Sequence, residues 1–174
     1  HHERAARALE RLGILCYDVA KPMKECGCQE TVFTNSLVGT KTGGRPLPLD
    51  LGGVTAQPIR VPGHTPGSIA LHIIERALLL LGDSWNPQTW VFFPEALPVN
   101  TYAASFRSLM NLPFTHALAP HQSALISKTF LQTYANGLSE KGFASAKPFS
   151  VPGHEGIQTL TYEPAPGALL IFRV

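Results

Sequence analysis

Three residues of this chain have the type and the placement to do chemistry together. His64 follows "IRVPG", Asp83 follows "ALLLLG" and His121 follows "THALAP". Each stands in a turn just after a short apolar run that reads as a strand. Ends of neighbouring strands meet at one rim of a sheet, and the loops there converge on a site. Two imidazoles and a carboxylate arriving together suit a borderline divalent metal such as Zn²⁺. A carboxylate directly after "LLLLG" is costly to bury unless something positive neutralises it, as a metal would. Taken singly, His64 would be a turn histidine and Asp83 a solvated turn residue or helix cap. Their combination selects the ligand reading.

The tetrapeptide "VPGH" occurs twice, at Val61 to His64 and at Val151 to His154. Only the first copy runs on into "TPGS" and then into an apolar strand ending in Gly-Asp. Pro-Gly is a turn signal by itself, so the second copy is expected to reverse the chain before the last hairpin. The alternative places His154 in the cleft against substrate. His72, inside "SIALHII", is expected to be a hydrogen-bonded strand histidine, and His116 a structural one at the start of a strand. Trp85, Trp90, Phe92 and Phe93 follow Asp83 closely. They either fill the core or wall an apolar pocket for a hydrophobic acyl or ring substituent.

The elements that must position these residues alternate between helix and strand. "ERAARALERLG" reads as a helix ending at Gly13, followed by the strand "ILCYDV". "VTAQPIRV" alternates as a strand, with Pro58 confining it to an edge or an end. "SIALHII" and "ALLLLGD" read as a hairpin or as two adjacent buried strands, and "WNPQTWVFFPEALP" as a loop. "NTYAASFRSLMNL" is expected to be a helix capped by Asn100. "THALAP" is a short strand, and "SALISKTFLQTYANGLSEKG" one helix stopped near Gly142. "IQTLTYE" and "ALLIFRV" flank "PAPG" as a closing hairpin. This alternation predicts an α/β layered domain.

The chain has 174 residues, enough for one domain with a real core. It is 44% hydrophobic and 15% charged, as in soluble globular proteins. A formal charge of +2 gives no strong field for nucleic acid or anionic lipid, and no apolar run is long enough to span a bilayer. The expected partner is a small-molecule substrate, with no nucleic acid and no membrane. Cys26 and Cys28 lack matching ligands for a zinc ribbon and read as free thiols, which points to the cytoplasm.

"VPGHTPGSIALHI", "ALLLLGD" and "LAPHQ" in this order resemble the metallo-β-lactamase-like hydrolase superfamily, over roughly Leu49 to Ser123. The resemblance implies an αββα sandwich, with 1–174 as a single domain forming the C-terminal portion of the full fold. It implies that His64 serves a first metal, that Asp83 bridges two metals and is the catalytic carboxylate, and that His121 serves the second metal. The cofactor is then one or two zinc ions, with iron or manganese as alternatives. Zinc lowers the pKa of bound water to about 7, so that hydroxide attacks an ester, thioester, lactone or amide carbonyl. Two departures stand out. "PHQ" lacks the glycine that usually precedes the histidine, and the His-x-His-x-Asp-His motif is absent upstream. On this alignment His1 is that motif's last histidine and a further metal ligand. The other reading makes His1 and His2 the remnant of a purification tag. The chain is accordingly expected to be N-terminally truncated, with its apolar faces completed by the missing N-terminal segment or in a homo-oligomer. An iron-dependent redox enzyme and an inactive homologue acting as a binding module are the competing functions.

Overall fold

The computed structural model describes residues 48–174. The helix and strand expected at the start of the chain, and His1, His2, Cys26 and Cys28, lie outside the described residues. Strand β1 (Leu49–Asp50) pairs antiparallel with the start of β2 (Thr55–Arg60). Pro58 lies beyond β1's reach, so its missing N–H costs no ladder bond on that side. β3 (Ile69–Ile73) and β4 (Leu78–Leu80) follow, each antiparallel to the strand before it, as the two apolar runs predict. β5 (Gln88–Val91) leaves for a second sheet. The chain returns through helix α1 (Val99–Leu109) to β6 (His116–Leu118), parallel to β4, and then to β7 (Ile126–Ser127). Helices α2 (Lys128–Gly137) and α3 (Glu140–Ala144) lead to β8 (Lys147–Phe149), β9 (Thr159–Ala165) and β10 (Ala168–Arg173). Among the described residues the sheets run β1-β2-β3-β4-β6-β7 and β5-β10-β9-β8. The result is an α/β sandwich with two mixed sheets.

Side-chain alternation explains the layers. In β10, Leu170 and Phe172 join the main core, while Ile171 turns to a smaller cluster with Phe92 and Val151. In α1, Tyr102, Ala103, Phe106 and Leu109 recur at helical spacing and all enter the main core. That core also takes Leu79 and Ala117 from the first sheet and Leu131 and Tyr134 from α2.

Three expectations are corrected. The segment read as an aromatic loop contains β5, because Trp90 and Val91 pair with Ile171 and Phe172. Asn100 is not the cap of α1. Pro98 holds that position without a side-chain bond, and its fixed φ starts the helix. The helix expected to run to Gly142 breaks after Gly137, which lies against the backbone of Pro164. A Cβ at Gly137 would fall 2.1 Å from the Pro164 oxygen. Ser139 then caps α3 by accepting from the Gly142 N–H.

Candidate functional site

The topology brings three strand ends to one rim. β2 and β4 are both antiparallel to β3, and β6 is parallel to β4, so β2, β4 and β6 point the same way. His64, Asp83 and His121 lie in the segments that leave these three strands. The Leu81 N–H donates to the Leu118 oxygen (2.9 Å), which keeps the exits of β4 and β6 side by side. The "GHTPGS" segment closes on itself. Val61 N–H donates to the Ser68 oxygen at 2.9 Å, and Thr65 N–H to Ser68 Oγ at 3.0 Å. The threonine and serine of this motif are therefore the tie of the His64 loop.

His64 is half-buried, and its Nδ1 lies 2.6 Å from the Trp90 carbonyl oxygen. A carbonyl only accepts, so Nδ1 carries the hydrogen, and in the neutral ring Nε2 is then the nitrogen with the lone pair. This is the arrangement in which a histidine ligand is oriented by a backbone acceptor. The same bond has a structural use, because β5 is an edge strand among the described residues and its outer carbonyl needs a donor. Gly63 sets the depth of the loop. Its carbonyl accepts from Leu97 N–H at 2.8 Å, and a Cβ there would meet Tyr102 Cδ2 at 2.6 Å.

Asp83 lies in a short 3₁₀ turn, Gly82–Ser84, entered through Gly82 at φ +52°. The turn leaves Asp83 half-buried rather than buried. Water therefore reaches the carboxylate in part, so burial alone does not call for a neutralising metal. His121 is exposed and itself adopts φ +64°. The missing glycine before it is thus answered locally: the histidine takes the left-handed conformation, one that histidine tolerates better than most residues.

Sharing a rim does not make a closed metal site. Among the described residues, no three His, Cys, Asp or Glu side chains come together in a group that could hold a metal ion. His64 is chemically prepared as a ligand, but the described residues alone do not fit a complete centre.

The four aromatic residues divide between two places. Trp85 enters the main core, edge-on to Phe130 and Tyr134. Trp90, Phe92 and Phe93 form the smaller cluster, and there the second "VPGH" arrives. Its loop does reverse the chain, since β8 and β9 pair antiparallel on either side of it. It also lays the His154 ring edge-on to Trp90, Phe92 and Phe93, with centroids 5.7, 5.7 and 5.3 Å away. Phe93 touches His64 as well, at 6.2 Å. Both copies of the tetrapeptide therefore close on one aromatic segment. Nothing in the second copy's own sequence signals this. His72 is buried in β3 as expected, yet its Nε2 has no hydrogen-bond partner. His116 starts β6 but is exposed, with Nδ1 3.1 Å from Thr115 Oγ1.

A buried polar pair lies beneath the Asp83 turn. The Tyr102 hydroxyl donates to the Ser84 oxygen at 3.0 Å and lies 3.1 Å from the Tyr134 hydroxyl. Burial pushes the Tyr134 phenol up to about 12 and the Tyr102 phenol well above its ordinary value. Helical spacing marks both residues as core, but it says nothing of where their hydroxyls go. On the second "VPGH" loop, the Gly153 N–H bonded to Glu155 holds that carboxyl below its ordinary range.

No family model matches the chain, and no curated protein matches it. Among solved structures it is similar to a metallo-β-lactamase family protein from Thermus thermophilus, with 23% identity and a TM-score of 0.46 over 59% of this chain and 36% of that one. It is similar to an archaeal metallo-β-lactamase superfamily protein from Sulfolobus tokodaii, with 21% identity and a TM-score of 0.41 over 54% and 38%. It is also similar to ETHE1 from Myxococcus xanthus, with 19% identity and a TM-score of 0.48 over 60% and 48%. The chain spans between about a third and a half of their length. The likeness is one of partial shape, and nothing about metal, substrate or activity follows from it. No helix among the described residues is long and apolar enough to cross a membrane.

Proposed function

We propose that this chain carries part of a metal-dependent hydrolase site, with His64, Asp83 and His121 as ligands and Asp83 also as the catalytic carboxylate. The observation that supports this reading is the parallel run of β2, β4 and β6, which delivers all three residues to one rim. His1, the further ligand that the resemblance implies, lies outside the described residues. The whole would form an αββα sandwich of which this chain is the C-terminal portion. The metal would be one or two zinc ions, with iron or manganese as alternatives. It would act as a Lewis acid toward an ester, thioester, lactone or amide. This chain's own part is orientation: the Trp90 carbonyl holds the His64 Nδ1–H, and Gly82 turns Asp83 out at the rim.

Elemental analysis of the full chain, purified without chelator or added metal, tests the reading and names the metal. One or two ions per chain are expected, falling in His64→Ala and Asp83→Ala. Unchanged metal content and unchanged hydrolysis in both variants would sink it.

A further inference from the structure

We propose that Tyr102 is a positioning residue of this rim: from beneath, it spans the His64 loop and the Asp83 turn and sets their separation. The inference rests on the hydrolase reading above, in which His64 and Asp83 serve one site. Two joints carry it. At the first, Gly63 lies so close to the tyrosine that a Cβ there would fall 2.6, 2.7 and 2.9 Å from Tyr102 Cδ2, Cβ and Cα. At the second, the Tyr102 hydroxyl donates to the Ser84 oxygen at 3.0 Å. Each joint is one residue from a candidate ligand, and consecutive Cα atoms stand about 3.8 Å apart. Gly63 and Ser84 are buried, while His64 and Asp83 beside them are half-buried at the rim. A shift at either joint therefore reaches a ligand within one residue.

Chemistry fixes the strut at the Asp83 end. A phenylalanine would fill the core equally well, and a buried hydroxyl is costly unless it is bonded. The Ser84 carbonyl only accepts, so the Tyr102 proton is committed to it. In the 3.1 Å bond between the two tyrosine hydroxyls, Tyr134 is then the donor. Ser84 Oγ has no hydrogen-bond partner among the described residues, so the serine side chain does not hold the turn. The turn is held through the backbone of Ser84, whose N–H donates to the Leu81 oxygen at 3.2 Å and whose carbonyl accepts from Tyr102. At the other end, the Gly63 carbonyl accepts from Leu97 N–H at 2.8 Å, which seats the His64 loop on the start of the helix that carries Tyr102.

Tyr102→Phe keeps the ring against Gly63 and removes the hydroxyl. Tyr134→Phe removes an equally buried hydroxyl and leaves the bond to Ser84. Amide hydrogen exchange on the full chain, read by NMR and normalised to the amides of β10, tests the strut without metal or substrate. Ser84 is expected to exchange about tenfold faster in Tyr102→Phe, as for the loss of one hydrogen bond. In Tyr134→Phe it should stay near its original rate. Zinc affinity by chelator competition on the same proteins then tests the effect on the site. Zn²⁺ should bind about tenfold more weakly to Tyr102→Phe than to Tyr134→Phe, as when a group supporting a ligand is lost. Gly63→Ala, which displaces the His64 side, should weaken zinc likewise, and Gly67→Ala should not. Equal Ser84 exchange in the two tyrosine variants, or equal zinc affinity in them, would overturn the proposal while leaving the hydrolase reading intact. Absence of zinc binding in the unaltered chain would sink the hydrolase reading and, with it, the positioning role, whatever the exchange rates show.

Discussion

Replacing Gly63 with alanine probes how closely the His64 loop is packed. The added Cβ would stand 2.6 Å from Tyr102 Cδ2, 2.7 Å from Tyr102 Cβ and 2.9 Å from Tyr102 Cα. Carbon atoms rest at about 3.5–4.0 Å, so the two segments must separate by roughly 1 Å. A rotamer change in Tyr102 cannot relieve the clash, since Cα and Cβ take part in it. The tyrosine is also fully buried and bonded through its hydroxyl to Ser84 and Tyr134. The loop must move instead. Overpacking of this kind costs about 1–3 kcal/mol. Moving the loop strains the bonds from Leu97 to Gly63 and from His64 to Trp90, and losing one adds about 0.5–1.5 kcal/mol. Gly63→Ala is therefore expected to lower stability by roughly 2–4 kcal/mol. Urea unfolding measures this directly, and in a thermal scan each kcal/mol lowers Tm by about 2–4 °C. Gly67→Ala is the control in the same loop. A Cβ at Gly67 meets nothing within 4 Å, so its change should stay within about 0.5 kcal/mol. If Gly63→Ala matched Gly67→Ala, the close approach of loop and helix would be refuted.

Alkaline pH should destabilise the protein through its buried tyrosines. Burial raises the Tyr134 phenol from 10.0 to about 12 and Tyr102 also upward. The stabilisation is intact below the unfolded value and is lost as pH rises toward the folded one, at up to about 1.4 kcal/mol per pH unit for each tyrosine. The urea midpoint should fall between pH 10 and 12, and less steeply in Tyr134→Phe; a flat midpoint would contradict the burial of these hydroxyls. His154→Ala removes edge contacts to three rings, and aromatic pairs contribute about 0.5–1.5 kcal/mol each beyond burial. A loss of roughly 1–3 kcal/mol by urea titration is expected, since the three contacts overlap. Abolished activity with unchanged stability and metal content would instead make His154 a group of the reaction.

The regular elements of the described part were legible wherever periodicity and burial agree. β3 and β4 announce themselves as apolar runs, α1 by its helical stripe, and β9 and β10 by a Pro-Gly turn with Gly167 at φ +75°. These signals are local, so the sequence carries them whole. β5 escaped because prolines and clustered aromatics mask a strand that exists by pairing with β10, about eighty residues away. The break in the second helix escaped for a similar reason: Gly137 is demanded by Pro164 on another element.

For the candidate site, residue type and the turn signals around His64, Asp83 and His121 were in the sequence, as was the reason to group them. Tertiary structure decided the rest. It set the common direction of β2, β4 and β6, since strand polarity in a sheet depends on the connections between strands. It chose the His64 tautomer, because the Trp90 carbonyl belongs to the other sheet. It left Asp83 half-buried, which no reading of "LLLLG" alone could foresee. It also brought the second "VPGH" to the aromatic residues beside the first. A tetrapeptide determines how its own backbone turns; what its histidine meets depends on packing between residues far apart in the chain.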